Sequence, residues 1–368
     1  MLPRLGSPKG NAVFSPYSIQ AALAMVGAGA EGKTAEQIGR VLHVAAPAEL
    51  GASNATLASR LGTATAPPRG APGVDLAKLE IANGLWTQSG LSLKPRFEQT
   101  LSEDFGASPQ QVDFRSQPQA ARQEINSWVS ARTGRLIDDL MGPGSITPQT
   151  ALVLADAVYL KARWVSPFNP SQTAPGSFFL AGGGRVSAEF MTQPPLQLAY
   201  AQTPGYQALS LPYRDSTLSM LVVMPKPGTL PSFELGLSAG ALARLERRLK
   251  PRLVDLLMPR FHLLGAQELN QPLAALGMPL AFTDQADFSG ITKQATLKIS
   301  AVEHDADLKV DEYGTVATAA TGISLVPTAV APGLGVHVTL NHPFLVFLRE
   351  DATGTILFAA RVANPAQG

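Results

Sequence analysis

A chain of 368 residues with 45% hydrophobic and 15% charged residues holds ample material for a sizeable core, and its length alone suggests two or three domains. A formal net charge of +1 argues against a general attraction to nucleic acid or to an anionic membrane. The absence of cysteine excludes disulfides and thiol chemistry, and it leaves the compartment open, because such a chain survives oxidising and reducing surroundings alike.

No charged or low-complexity linker divides the sequence, so residues 1–368 read as one large domain of α+β class, helical early and strand-rich late. Residues 1–9 lack the apolar stretch of a signal peptide. Residues 15–26 and 34–42 have helical apolar spacing, with Ser15-Pro16 and Thr34 as starts. Residues 62–73 and 142–148, rich in turn formers, read as loops. Residues 120–140 carry Ile125, Val129, Leu136 and Ile137 on one helical face. Residues 150–160 and 217–224 read as buried strands, Gly182-Gly183-Gly184 as a hairpin turn, and residues 344–348 and 355–359 as closing strands around Ala352-Thr353-Gly354. There is no internal repeat.

Catalytic chemistry finds little support. The five histidines, His43, His262, His304, His337 and His342, are scattered, which gives no zinc cluster. The chain has no Gly-x-Ser-x-Gly elbow, no His-Glu-x-x-His and no phosphate-cradling loop, so no cofactor or metal is expected.

The most informative stretch lies between Tyr313 and Leu348, which contains no Asp, Glu, Lys or Arg. It opens with Gly314, Thr315, Val316, Ala317, Thr318, Ala319, Ala320 and Thr321, small and β-branched residues suited to a strand interior. Gly322, Pro327, Pro332, Gly333 and Gly335 then break regular pairing. A membrane span is excluded by the dominance of Ala, Thr, Gly and Pro. A flexible linker and a plain strand with hairpin compete with a loop whose first half can join a sheet.

The flanks favour the last. Leu308-Lys309-Val310-Asp311-Glu312-Tyr313-Gly314-Thr315 precedes the run and Asn341-His342-Pro343-Phe344-Leu345-Val346-Phe347-Leu348 follows it. With Asn11-Ala12-Val13-Phe14-Ser15-Pro16-Tyr17-Ser18-Ile19, Gly32-Lys33-Thr34-Ala35-Glu36-Gln37-Ile38, Ile125-Asn126-Ser127-Trp128-Val129, Ala157-Val158-Tyr159-Leu160-Lys161-Ala162-Arg163-Trp164 and Asp287-Phe288-Ser289-Gly290-Ile291, the chain resembles a serpin, a serine protease inhibitor, over nearly its whole length. The abundance of Ala, Gly, Pro and Arg points to a GC-rich bacterial gene.

The resemblance implies helices packed around a large central sheet with two further sheets, and an exposed hinge and reactive-centre loop over residues 312–335. It implies a suicide trap in which the loop is cleaved, the protease is held as an acyl-enzyme and the hinge inserts as a strand. It further implies a monomer with a risk of polymerisation. Members that do not inhibit often carry charged or bulky residues or Pro in the hinge, and none stands here before Pro327, which favours an inhibitor over a carrier or chaperone. The reactive residue in the family usually lies sixteen positions beyond the hinge glutamate; from Glu312 that is Thr328, with Ala329 on the leaving side, within a window from Leu325 to Val330. Small and aliphatic residues there imply an elastase-like or subtilisin-like target.

The resemblance also implies a shutter of Ser15, Ser18 and His304, and a breach of Trp164, Arg260 and Glu312 with an Arg260–Glu312 ion pair. Asp156 stands where the family generally has Asn, and a buried carboxylate is costly unless paired. It is therefore expected to bond to a protonated His304, with a local partner such as a serine as the alternative. Only Arg60, Arg69 and Lys78 are basic between His43 and Leu79, so a heparin-type site on the family's helix D is not supported. Most of helix A is missing before Asn11, and localisation stays open: extracellular or periplasmic if a signal lies upstream, cytoplasmic otherwise.

Overall fold

A computed structural model describes residues 1–4, 9–45, 47–64, 77–135, 137–315 and 335–367. In chain order its elements are β1 (Ala12–Phe14), α1 (Pro16–Gly27), α2 (Gly32–Leu42), α3 (Leu50–Ala64), β2 (Lys78–Gln88), α4 (Pro95–Phe105), β3 (Gln110–Val112), α5 (Pro118–Arg132) and β4 (Leu152–Arg163). There follow β5 (Ala174–Phe179), β6 (Arg185–Gln202), β7 (Tyr206–Pro212), β8 (Leu218–Pro225), α6 (Leu230–Leu235), α7 (Ala239–Glu246), β9 (Lys250–Pro259), β10 (Phe261–Leu264), β11 (Gln267–Glu268) and α8 (Asn270–Leu276). The last are β12 (Ala301–Asp311), β13 (Gly314–Thr315), β14 (Val336–Thr339), β15 (Phe344–Glu350) and β16 (Ile356–Val362).

The central sheet runs β10-β12-β13-β4-β2-β3, with β11 pairing β12. The second sheet runs β1-β16-β15-β8-β7-β6-β9-β14, with β5 on β6. The two smaller sheets expected from the resemblance are continuous through β6, where the ladder to β9 shifts between Gln193 and Leu196. Pro194 and Pro195 fall in that shift and have no N–H to give, so the strand bends there without ending.

Side-chain alternation fixes how the central sheet is covered. On β12, Val302, His304, Ala306, Leu308 and Val310 are buried, while Glu303, Asp305 and Asp307 between them are half-buried on the opposite face. Leu23 and Met25 of α1 share a core cluster with Leu154 and Val302 beneath the sheet. Ile125 and Val129 of α5 pack with Val153, Ala155 and Ala301 on the other face. Each such buried aliphatic side chain contributes about 1.5–3 kcal/mol against the entropy of ordering it. Trp128 of α5 meets Trp86 of β2 edge-on at 5.0 Å. Gly84 makes room for this, since a Cβ there would lie 2.1 Å from the Trp86 ring.

Local expectations fare unevenly. Ser15 caps α1 by accepting from the Ser18 N–H, and Pro16 holds the first helical position. α2 begins at Gly32 instead of Thr34, because the Thr34 hydroxyl accepts from the Asp287 N–H across the molecule. The helical face foreseen over residues 120–140 stops at Arg132, where Gly134 (φ 64°) and Arg135 (φ 65°) turn the chain left-handed. Ile137 still packs on α5 from the loop, and Leu136 lies outside the described residues. The loop foreseen from Gly62 starts later, since α3 runs to Ala64.

Candidate functional site: the seam between β4 and β12

In the lower half of the central sheet β4 and β12 pair directly and in parallel, from Ala301 opposite Val153 to Ala306 opposite Val158. Above that the two strands part and β13 stands between them. Gly314 and Thr315 pair antiparallel with Asp311 and Val310 on one side and with Arg163 and Ala162 on the other. The space is tight: a Cβ on Gly314 would lie 2.0 Å from the Ala162 carbonyl oxygen. Only glycine fits where the chain enters the sheet.

The turn into β13 is held by polar side chains. The Asp311 carboxylate accepts from the backbone N–H groups of Tyr313 and Gly314 at 2.9 and 3.3 Å. Trp164 donates its indole N–H to the Asp311 carbonyl at 3.0 Å, and its ring stacks on Tyr213 at 4.6 Å. The Tyr213 hydroxyl bonds to Thr315 Oγ1, and burial drives that phenol far above its ordinary range, so it stays neutral. Arg260 donates Nε–H to Glu312 at 2.7 Å, and Thr173 donates to the same carboxylate. Burial pushes the Glu312 carboxyl up, but Arg260 and Thr173 together outweigh it and hold the group below the usual range. Trp164, Arg260 and Glu312, far apart in sequence, thus meet around one turn.

Below the wedge, Ser15, Ser18, Asp156 and His304 also converge. The Ser15 backbone N–H donates to His304 Nε2 at 3.0 Å, so that nitrogen carries no proton. Nδ1 carries it and donates to Asp156 Oδ1 at 2.6 Å. The ring is neutral in this arrangement, where a protonated His304 had been expected, because an imidazolium would set two N–H donors face to face. Asp156 Oδ2 is buried without a hydrogen-bond partner among the described residues. Ser18 turns its hydroxyl to Asn83 Oδ1 at 2.7 Å, and Asn83 lies opposite Asp156 in the β2–β4 ladder.

Of the loop positions, Gly314 and Thr315 stand in β13, whereas Val316, Ala317, Thr318, Ala319, Ala320, Thr321, Thr328 and Ala329 lie outside the described residues. The sequence reading missed Asn83, Thr173, Tyr213 and the carboxylate of Asp311. The last carried a signal, an Asp three residues before a Gly, the pattern of a side-chain-capped turn. The others are single polar residues in apolar strands or loops, and nothing local distinguishes them.

Comparison with known proteins matches this architecture to a family. Residues 3–365 match the serpin (serine protease inhibitor) family model. An uncharacterized serpin-like protein of Thermococcus kodakarensis is 35% identical, covering 99% of this chain and 83% of its own. The leukocyte elastase inhibitor of Bos taurus is 32% identical, covering 98% and 94%. Among solved structures, the thermophilic serpin tengpin in its native state superposes with a TM-score of 0.87 at 26% identity, covering 99% and 91%. Thyroxine-binding globulin in complex with thyroxine gives 0.84 at 28% identity, covering 98% and 94%. The family match over nearly the whole chain, together with relatives above 30% identity, places the chain in the serpin family.

Proposed function

We propose that the protein inhibits a serine protease with small or aliphatic primary specificity by a suicide trap. The observation that carries this is the wedge: β13 already stands as the first two residues of a strand between β4 and β12, antiparallel to both, above a seam closed by direct pairing. A protease serine attacks the carbonyl carbon of Thr328, the bond to the Ala329 nitrogen breaks, and that nitrogen leaves with the proton passed on by the protease histidine. The new end stays esterified to the protease and is free to follow β13 into the seam.

Residues 314–328 inserted at about 3.3 Å each carry the protease roughly 50 Å. New ladder bonds at about 0.5–1.5 kcal/mol net apiece sum to on the order of 10 kcal/mol, enough to distort an enzyme dragged along by its ester. Thr315 faces the buried side with Val310, so Ala317, Ala319 and Thr321 follow it into the core and Val316, Thr318 and Ala320 face outward. All of these residues are small or β-branched. The protein acts as the inhibitor, with catalysis left to its target.

A carrier role is the second reading, favoured by the likeness to the structure of thyroxine-binding globulin with thyroxine. Mixing the protein with a pancreatic-type elastase, and separately with subtilisin, decides between them. The trap predicts a denaturant-resistant band at the summed mass and a released peptide beginning at or near Ala329. Clean cleavage by both, with no complex, overturns the choice of target. If the cleaved product also gains no heat stability, the trap itself is overturned.

A further inference from the structure

Five of the chain's 29 basic residues, Arg244, Arg247, Arg248, Lys250 and Arg252, fall within nine consecutive positions, where an even spread would place fewer than one. All five are exposed. Arg244 lies in the last turn of α7, Arg247 caps that helix, and Lys250 and Arg252 open β9 on one side of the strand. The carboxylates nearest them in sequence are engaged elsewhere: Glu246 pairs with Arg349, and Asp255 contacts His337 Nδ1 at 2.6 Å. The five cations thus have no ion-pair partner among the described residues. Since the whole chain carries a formal charge of only +1, the rest of it is net acidic and the excess of positive charge is local.

Cations at a helix end complement the helix dipole, which accounts for Arg244 and Arg247. That effect fades beyond the last turn, so Arg248, Lys250 and Arg252 need another reason. Their place supplies one, because the patch borders the point where the loop returns to the body. β14 runs parallel to β9 with Val336 opposite Val254, and a Cβ on Gly335 would lie 3.3 Å from the Leu253 carbonyl oxygen. Arg252 is the residue just before Leu253. Ala329 precedes Gly335 by six residues, so chain geometry limits its distance from that point to roughly 22 Å. A protease of about 250 residues has a radius of gyration of roughly 18 Å, so one seated on the Thr328–Ala329 bond comes within reach of Lys250 and Arg252.

We propose that Arg244, Arg247, Arg248, Lys250 and Arg252 form a docking surface for target proteases that carry acidic side chains beside the cleft, on the side that holds the residues after the cut bond. This rests on the reading of the chain as a protease inhibitor attacked near Thr328, and it adds a second determinant to that reading. Small residues at the bond set the primary pocket; the patch sets which enzymes with that pocket arrive fastest. Clustered like charges steer an oppositely charged partner before contact, raising association by about 10–10³-fold, and repel a partner of their own sign. A linear polyanion also complements five cations, but nothing in its chemistry calls for a patch at the foot of the loop, whereas a protease must approach there.

The test measures the rate of attack on the loop of the full chain, counted as covalent complex plus cleaved chain. Two subtilisin-type proteases of one primary specificity are compared, one with an acidic and one with a basic surface. Raising salt from about 0.05 to 0.5 M is expected to slow the acidic protease about tenfold and to speed the basic one, as both attraction and repulsion are screened. Combining Arg247→Gln, Arg248→Gln, Lys250→Gln and Arg252→Gln is expected to cut the acidic protease's rate about tenfold at low salt, to remove most of its salt dependence and to speed the basic protease. All four side chains are exposed, so the melting temperature should hold. Wild-type rates indifferent to salt, or a variant that slows both proteases alike, overturn the docking surface. Rates indifferent to salt and variant, with the wild type alone retained on immobilised long-chain polyphosphate, assign the patch to a linear polyanion and overturn it too. Salt-dependent cleavage without any covalent complex overturns the trap and leaves the docking surface standing. A loop that neither protease cuts overturns the choice of bond, and the docking surface falls with it.

Discussion

His304 accepts from the backbone N–H of Ser15 and donates to the side chain of Asp156, so one neutral ring ties the start of α1 to both strands of the seam. If the proposed trap opens the seam, the bond from His304 to Asp156 must break, because it spans the two strands that part. The ring stands on β12 and Asp156 on β4.

Asp156→Asn keeps an acceptor for Nδ1–H and removes a carboxylate with one unpartnered oxygen, so thermal stability is expected to hold or rise. Asp156→Ala leaves a buried N–H without a partner and is expected to lower stability by about 1–3 kcal/mol. It should also speed spontaneous insertion. Thermal unfolding and the rate of appearance of a heat-resistant form measure both.

At the top of the sheet the Glu312 carboxyl is held below its ordinary value, so its contribution is present above the usual carboxylate range and is lost as pH falls through the depressed value. Arg260 is 43% exposed, so the pair is worth only about 1 kcal/mol, and its main effect is to hold the turn. Glu312→Gln at neutral pH, and acidification of the wild type, are both expected to raise the rate of polymer formation on native gels. Target preference should stay unchanged.

Gly314→Val puts a branched side chain where even a Cβ would lie 2.0 Å from a backbone oxygen. A strain of about 1–3 kcal/mol should push β13 out of the sheet and, under the proposed trap, turn the chain from an inhibitor toward a substrate. Densitometry of complex against cleaved inhibitor is expected to shift roughly tenfold toward free cleavage.

Continuing the register of Thr315 opposite Val310 and Ala162 brings Thr321 between His304 and Asp156 in the inserted form. Its hydroxyl can bond to both as they separate. Thr321→Val is expected to lower the stability of the cleaved form by about 1–3 kcal/mol without affecting the uncleaved one, as read by their two melting curves.

Burial, and repulsion from Glu268 directly opposite, push Glu303 up to about 7. A carboxyl raised in the folded state stabilises it at low pH, and that stability is lost as pH climbs from the ordinary carboxylate value through about 7. Glu303→Gln is therefore expected to stabilise the fold at pH 8 by about 1 kcal/mol after allowing for its partial exposure, seen as a higher melting temperature, and to have little effect at pH 4. Equal shifts at both pH values would reject the assignment.

What could be read without coordinates was whatever the chain states locally. Ser15-Pro16 declares the start of α1, the apolar run over residues 150–160 declares β4, and the small residues after Glu312 declare a segment able to enter a sheet, since side-chain size along one strand decides that. The partnerships were decided by tertiary structure. Ser15 and His304 are 289 residues apart, and Trp164 and Asp311 are 147 apart. Thr34 is a helix start by sequence and a distant acceptor in fact. A hydrogen bond depends on strand register and on the approach of two backbones to within about 3 Å, which no single segment encodes. For that reason the neutral ring of His304, the place of Asn83 and the wedge at Gly314 emerge only once β4, β12 and α1 are packed together.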